Sequence, residues 1–254
     1  MTKKENGAGA PSPAERPLRP RIRGEGLRVE RGGKVILRDV SVHADAGEVI
    51  GVLGPSGAGK STLFRALTGE IAPDAGAVLL DGDDVTAAPL WARARRGLGY
   101  IPQSPSVLWD LSVRENLATF HRVVHGDPGD PRAAAERVQL GARLDVRAGE
   151  LSAGERRRLE FARSLTRTPR VLVCDEPFSG VDPVGAARLA ELLRDLAAEE
   201  GAAVLLADHH VAEALRICTR AILLLDGAVA AEGDPAAFQE HPLVRGRYLG
   251  TLDV

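Results

Sequence analysis

Val49-Ile50-Gly51-Val52-Leu53 runs straight into Gly54-Pro55-Ser56-Gly57-Ala58-Gly59-Lys60-Ser61, and this junction constrains the chain more than any other feature. A short, wholly apolar run reads as a strand buried on both faces. The loop after it fits G-x-x-x-x-G-K-[ST], and a helical pattern follows through Lys60-Ser61-Thr62. Glycines let successive backbone N–H groups point inward around an anion, and the helix adds its positive N-terminal end. Gly54, Pro55, Ser56, Gly57, Ala58 and Gly59 then form a phosphate cradle that runs on into Thr62. Lys60 reaches the β- and γ-phosphates, and the Ser61 hydroxyl ligates Mg²⁺.

Lysine usage sharpens this reading. The chain has only four lysines, Lys3, Lys4, Lys34 and Lys60, against 33 basic residues in all. Arginine serves almost everywhere else, so the lysine inside the glycine loop stands out. A compact ammonium fits between phosphate oxygens where a broad guanidinium does not.

A second apolar strand, Val171-Leu172-Val173-Cys174, ends in Asp175-Glu176. Side chains alternate along a strand, so these two carboxylates do different work. An Asp at a strand end can hold Mg²⁺, and the adjacent Glu can accept a proton from, or orient, an attacking water. Other β-like runs are Gly26 to Val29, Val35 to Leu37, the alternating Val40/Val42 stretch, Val78 to Leu80, Leu98 to Ile101, Ala203 to Ala207 and Ala221 to Leu225. Gly32-Gly33 reads as a hairpin turn. Helical patterns lie between several of these runs; Leu189, Leu192, Leu193 and Leu196 mark one over Val184 to Glu200. Strand–helix alternation implies an α/β fold with a largely parallel sheet covered on both faces.

Residues 104–166 carry no clear strand and read as an inserted helical subdomain, about 104–164. In it Asp130-Pro131 caps a helix expected through Leu140. Residues 1–22, rich in Gly, Pro, Ala and charge, read as a disordered tail, leaving 23–254 as one domain. No apolar run is long enough to span a bilayer and none follows Lys3-Lys4, so a cytoplasmic protein is expected. The net charge of -2 gives no nucleic-acid signature. Cys174 and Cys218, both in apolar surroundings, read as small buried side chains, and they exclude a disulfide scaffold.

Further motifs follow in a fixed order. Gln103 comes after Ile101-Pro102. Leu151-Ser152-Ala153-Gly154-Glu155 opens a helix; alone, Ser152 would be an ordinary N-cap. Ser179-Gly180-Val181-Asp182 and Asp208-His209 come after the second strand. With these in place, the sequence over about residues 23–248 resembles the ATP-binding subunits of ABC transporters. The resemblance implies a P-loop NTPase core of the ABC type, with an antiparallel β subdomain and the helical insertion. It implies that Gln103 senses Mg²⁺ and the γ-phosphate and couples to a membrane partner. Ser152 and Gly154 would contact the γ-phosphate held by the other protomer. Asp182 would be the acid at the subunit interface and His209 the switch histidine. His210 reads as a structural residue. Glu176, His209 and Gln103 are thus the expected catalytic set, and Ser61, Gln103 and Asp175 the metal set.

The resemblance also implies a homodimer that sandwiches ATP, bound to integral-membrane permeases. Membrane contact comes through those partners only, on the cytoplasmic face of the inner membrane, and no nucleic acid is expected. Leu90 to Gln103, Leu111 to Leu117, Gly154 to Arg158, Glu176 to Pro183 and Arg247 to Gly250 are similar to one branch, the ATPase of lipopolysaccharide export. The alternatives are the ATPase of another transporter, such as a branched-chain amino-acid importer, or a non-transport ABC ATPase. A P-loop kinase would need neither Ser152-Ala153-Gly154 nor His209. Four positions depart from the expected pattern. Arg31 stands where an adenine-stacking aromatic is usual, Ala153 replaces a signature glycine, and Leu108-Trp109 follows the glutamine loop. Arg93, Arg95 and Arg96, taken alone, read as a solvated basic face.

Overall fold

A computed structural model describes residues 20–251. Residues 1–19 of the expected tail lie outside the described residues. Ile22, at the end of that stretch, is buried and opens the first strand.

The strands are β1 (Ile22–Arg31), β2 (Lys34–Ala44), β3 (Val49–Leu53), β4 (Ala75–Leu80), β5 (Asp83–Asp84), β6 (Leu98–Ile101), β7 (Val171–Asp175), β8 (Ala203–Ala207), β9 (Arg220–Leu225) and β10 (Ala228–Gly233). The helices are α1 (Lys60–Thr68), α2 (Leu90–Arg95), α3 (Val113–His125), α4 (Pro131–Arg137), α5 (Ala153–Ser164), α6 (Pro183–Ala198), α7 (Val211–Ile217), α8 (Pro235–Glu240) and α9 (Pro242–Arg247). One antiparallel sheet has the order β2-β1-β4-β5. The central sheet has the order β10-β9-β3-β8-β7-β6, parallel except for β10 at its edge.

The central strands are apolar throughout because both of their faces are buried. Val49, Leu53, Leu172, Cys174, Val204, Leu206 and Leu223 face a core shared with α5, α6, α7 and the helical insertion. Their neighbours Ile50, Val52, Val171, Val173, Leu205 and Ile222 face a second core, shared with α1 and the antiparallel sheet. Period-2 alternation thus divides two cores across one sheet. Both cysteines are buried in the first core.

The expected short strands around Gly32-Gly33 are two long ones. Both glycines have positive φ (57° and 75°), as a two-residue hairpin turn requires. β10 and the two-residue β5 have no counterpart in the sequence reading. Residues 104–166 hold helices α3 to α5, and one isolated bridge joins Ser112 to Arg147. Asp130 caps α4 as expected, accepting from the N–H groups of Arg132 and Ala133, but the helix stops at Arg137 rather than Leu140. The chain turns sharply at Gln139, whose φ is 58°.

The basic cluster corrects another expectation. Arg93 is not on a solvated face; it is fully buried. Its guanidinium donates to the carbonyls of Ala66 (2.9 Å), Leu67 (2.7 Å), Ala88 (2.8 Å) and Thr86 (3.0 Å). Two of those acceptors are last-turn carbonyls of α1, so Arg93 caps the C-terminal end of the helix that begins at the glycine loop.

Candidate nucleotide site

Four parallel strands, in the spatial order β3, β8, β7 and β6, end on one edge of the sheet. β3 leads to Gly54–Ser61, β8 to Asp208-His209, β7 to Asp175-Glu176 and β6 to Gln103. Parallel sheets gather ligands at the carboxyl ends of their strands for this reason.

The glycine loop is shaped by contacts only glycine tolerates. Gly54 has φ 150°, and a Cβ there would lie 2.2 Å from the Leu224 carbonyl oxygen. Gly59, at φ 106°, caps α1 with no side chain satisfying the first-turn N–H groups, and no acidic residue stands in that turn. A helix start left uncapped in this way is an anion site. Lys60 is buried, and its Nζ donates to the carbonyls of Gly54 (2.7 Å) and Pro55 (3.0 Å). Burial lowers its pKa, while Glu176 and Asp175 oppose that shift. The Tyr248 phenol, deeply buried, meets the backbone of Gly54.

Asp175 is buried, and burial raises its carboxyl pKa. The neighbouring Ser61 hydroxyl and the charges of Lys60 and Arg157 oppose that shift. A hydroxyl and a carboxylate side by side at the phosphate cradle are hard oxygen donors, the set that suits Mg²⁺. Glu176 follows with φ 54°, a left-handed backbone that breaks the strand alternation. Its Oε1 lies 2.9 Å from Gln103 Nε2 and 2.9 Å from His209 Nε2. Gln103 and His209, from the ends of two other strands, therefore converge on one oxygen of Glu176.

Ser152, Gly154 and Asp182 form a separate cluster. Ser152 is the N-cap of α5 in a full capping box with Glu155: its hydroxyl accepts from Glu155 N–H (3.2 Å), and its own N–H donates to Glu155 Oε2 (2.8 Å). Asp182 caps α6 through the N–H groups of Val184 and Gly185. The two turns touch, since a Cβ on Gly180 would lie 3.3 Å from the Ala153 methyl. Among the described residues no hydrogen bond joins this cluster to residues 54–62. Arg31 lies at the tip of the β1–β2 hairpin, with Nη1 3.2 Å from Asp74 Oδ2.

Three residues, Arg157, Asp208 and Tyr248, take roles that the sequence did not assign them. Arg157 is buried. Its guanidinium donates to the carbonyls of Pro102 (2.8 Å), Asp175 (3.0 Å) and Glu176 (2.5 Å) and pairs with Glu160 (2.9 Å). It ties α5 to the ends of β6 and β7. An Arg and a Glu three apart among Leu159, Phe161 and Ala162 was the available signal. Asp208 is buried; it accepts from Phe178 N–H (2.9 Å) and pairs with His210 Nδ1 (2.7 Å), so it ties the segment after β7 to the segment after β8. Tyr248 carried no signal of its own.

Comparisons with known proteins agree on the family. Residues 37–179 match the family model described as ABC transporter. The chain is 43% identical over 221 residues to the lipopolysaccharide export system ATP-binding protein LptB of Acidithiobacillus ferridurans, covering 85% of this chain and 91% of that protein. It is 39% identical over 226 residues to LptB of Escherichia coli strain K12, covering 86% and 92%. A probable ABC transporter ATP-binding protein of Azorhizobium caulinodans is 42% identical over 234 residues, covering 89% and 81%. Among solved structures, the ADP conformation of an ATP-binding cassette of an ABC transporter superposes with TM-score 0.78 at 26% identity, covering 89% of this chain and 97% of that one.

Proposed function

The chain belongs to the ABC transporter family as an ATP-hydrolysing subunit, and from that premise we propose that it powers the extraction of lipopolysaccharide from the inner membrane for export. The observation that carries the catalytic part is the convergence of Gln103 and His209 on Glu176 Oε1 beside the glycine cradle. The relatives named for lipopolysaccharide export carry the cargo.

The triphosphate lies in the loop Gly54–Gly59, with Lys60 released from its carbonyl partners onto phosphate oxygens. Ser61 and Asp175, with Gln103 at the rim, would hold Mg²⁺, which when bound neutralises charge on the phosphates. Glu176 orients the attacking water or accepts its proton, and Gln103 and His209 hold that carboxylate in place. Among the described residues, Ser152, Gly154 and Asp182 make no hydrogen bond to residues 54–62 of their own chain. They complete the cradle of a second copy in a twofold dimer, whose closure and reopening drive the transporter.

The partner surface is a cleft of about 710 Å³ between α2 and the helical insertion, lined by Trp91, Tyr100, Phe120, Val123, Arg95 and Arg163 among others. Trp91 and Val123 are exposed there, and Pro102, the residue before Gln103, lines it. The cleft receives a permease, so membrane contact comes through that partner at the cytoplasmic face. No helix among the described residues is long and apolar enough to cross a membrane. We further propose residues 23–254 as one domain, with about 104–164 as its helical subdomain. Affinity purification from the native membrane tests the cargo. Permeases together with a periplasmic lipid-bridge protein are expected; importer permeases with a solute-binding protein would overturn the reading.

A further inference from the structure

Resting on the reading of Glu176 as the residue that handles the attacking water, we infer that Glu160 is a positioning residue for hydrolysis. It anchors the Arg157 guanidinium that grips the backbone of Glu176, and so fixes where the catalytic carboxylate stands.

Glu176 needs such a holder. With φ 54° its backbone is left-handed, a conformation that a residue with a Cβ disfavours and keeps only where its surroundings over-determine it. Its N–H donates to the Ala207 carbonyl at 2.7 Å. Its own carbonyl and that of Asp175 accept from Arg157 Nη2, at 2.5 Å and 3.0 Å. The side chain that leaves this pinned backbone sets Oε1 against Gln103 and His209.

Arg157 in turn depends on Glu160. Its Nη1 donates to the Pro102 carbonyl (2.8 Å) and to Glu160 Oε2 (2.9 Å), so both terminal nitrogens are fully engaged. The other acceptors are neutral backbone carbonyls. Among the described residues, Glu160 is the one carboxylate within ion-pair distance of this guanidinium. Both side chains are buried, at 5% and 4% exposure. A buried cation that loses its counter-ion is strongly penalised, so the guanidinium would leave the carbonyls for water.

The carboxylate is also tied at its other oxygen. Glu160 Oε1 accepts from the Ser106 backbone N–H and from the Ser106 hydroxyl (2.9 Å). Ser106 and Glu160 both line the cleft proposed to receive the permease. Glu160 thus bridges the cleft and the end of β7. A buried ion pair adds little net stability over apolar residues of the same volume. What this one supplies is aim, because a planar fork meets its carbonyls only in a fixed orientation.

The test is Glu160→Gln, which keeps the side-chain shape and an acceptor for Ser106 but removes the charge. Steady-state ATPase and binding of a fluorescent ATP analogue are measured on the full-length protein. kcat is expected to fall about 10–100-fold, the cost of a misplaced catalytic group, while nucleotide affinity stays within about twofold of the parent. An unchanged kcat overturns the inference. So does an equal loss of affinity, which a general disturbance of the fold would produce. Added to Glu176→Gln, Glu160→Gln should lower the residual rate by less than about twofold, since no carboxylate is left to position. Losses that multiply would place its action elsewhere and overturn the inference. Should Glu160→Gln fail to fold, the exposed Ser106→Ala carries the test. Its kcat should fall about fivefold at unchanged affinity, and an unchanged kcat there overturns the inference. Failure of the underlying reading looks different, because Glu176→Gln itself would then hydrolyse ATP at the parent rate. A slow Glu176→Gln beside a Glu160→Gln at the parent rate sinks this inference alone.

Discussion

Gln103 Nε2 donates to Glu176 Oε1 at 2.9 Å, so the chain leaving β6 and the chain leaving β7 meet on a single carboxylate oxygen. That oxygen is also 2.9 Å from His209 Nε2, beyond β8. The cleft proposed to receive the permease runs along β6 as far as Pro102, one residue before Gln103.

Glu176→Gln keeps the size of the side chain and its contact with Gln103 but removes the base. Phosphate release is expected to fall by about 10²–10³-fold, while ATP binding stays near the parent level. Turnover at the parent rate would show that another group handles the water.

Lys60→Arg conserves charge but not shape. The ammonium occupies a buried slot between the Gly54 and Pro55 carbonyls, and a planar guanidinium does not fit there. ATPase activity should drop at least about 100-fold, in line with the loss of a charged contact to the transferring phosphate. Near-normal hydrolysis would refute the compact-ammonium argument.

Ser152 caps α5, and its proposed second task is contact with a neighbour's phosphate. Ser152→Ala should lower stability by about 1 kcal/mol, the usual cost of losing a cap. Ser152→Asp keeps the cap, so its urea midpoint should stay near the parent's. Its carboxylate would face the γ-phosphate, so its ATPase should still be lost. Full activity in the aspartate variant would leave Ser152 with the cap alone.

Arg93→Met removes a buried guanidinium that satisfies four carbonyls, two of them ending α1. Unpaired buried acceptors cost about 1–3 kcal/mol each before water enters. A net loss of about 3 kcal/mol in urea unfolding is expected, against less than about 1 kcal/mol for Arg96→Ala, whose side chain is 48% exposed. Equal small losses would mean that water replaces the guanidinium without penalty.

Local chemistry decides what the sequence by itself determined. Apolar strands, the glycine loop, the hairpin at Gly32-Gly33, and the caps Asp130 and Ser152 each depend on residues a few positions apart. Spacing alone made them legible. Glu176 and Gln103 were legible as chemistry but not as a pair, because they are 73 positions apart and only the β6–β7 register joins them. Arg93, Arg157, Asp208 and Tyr248 were decided by tertiary structure. A charged or phenolic side chain in a string of letters does not say whether it meets water or a ring of backbone carbonyls. The burial of Arg93 depends on the end of α1 arriving beside α2, and that of Arg157 on two strand ends arriving beside α5. Those encounters are products of packing around one sheet, and they convert ordinary surface arginines into the struts that hold the site in shape.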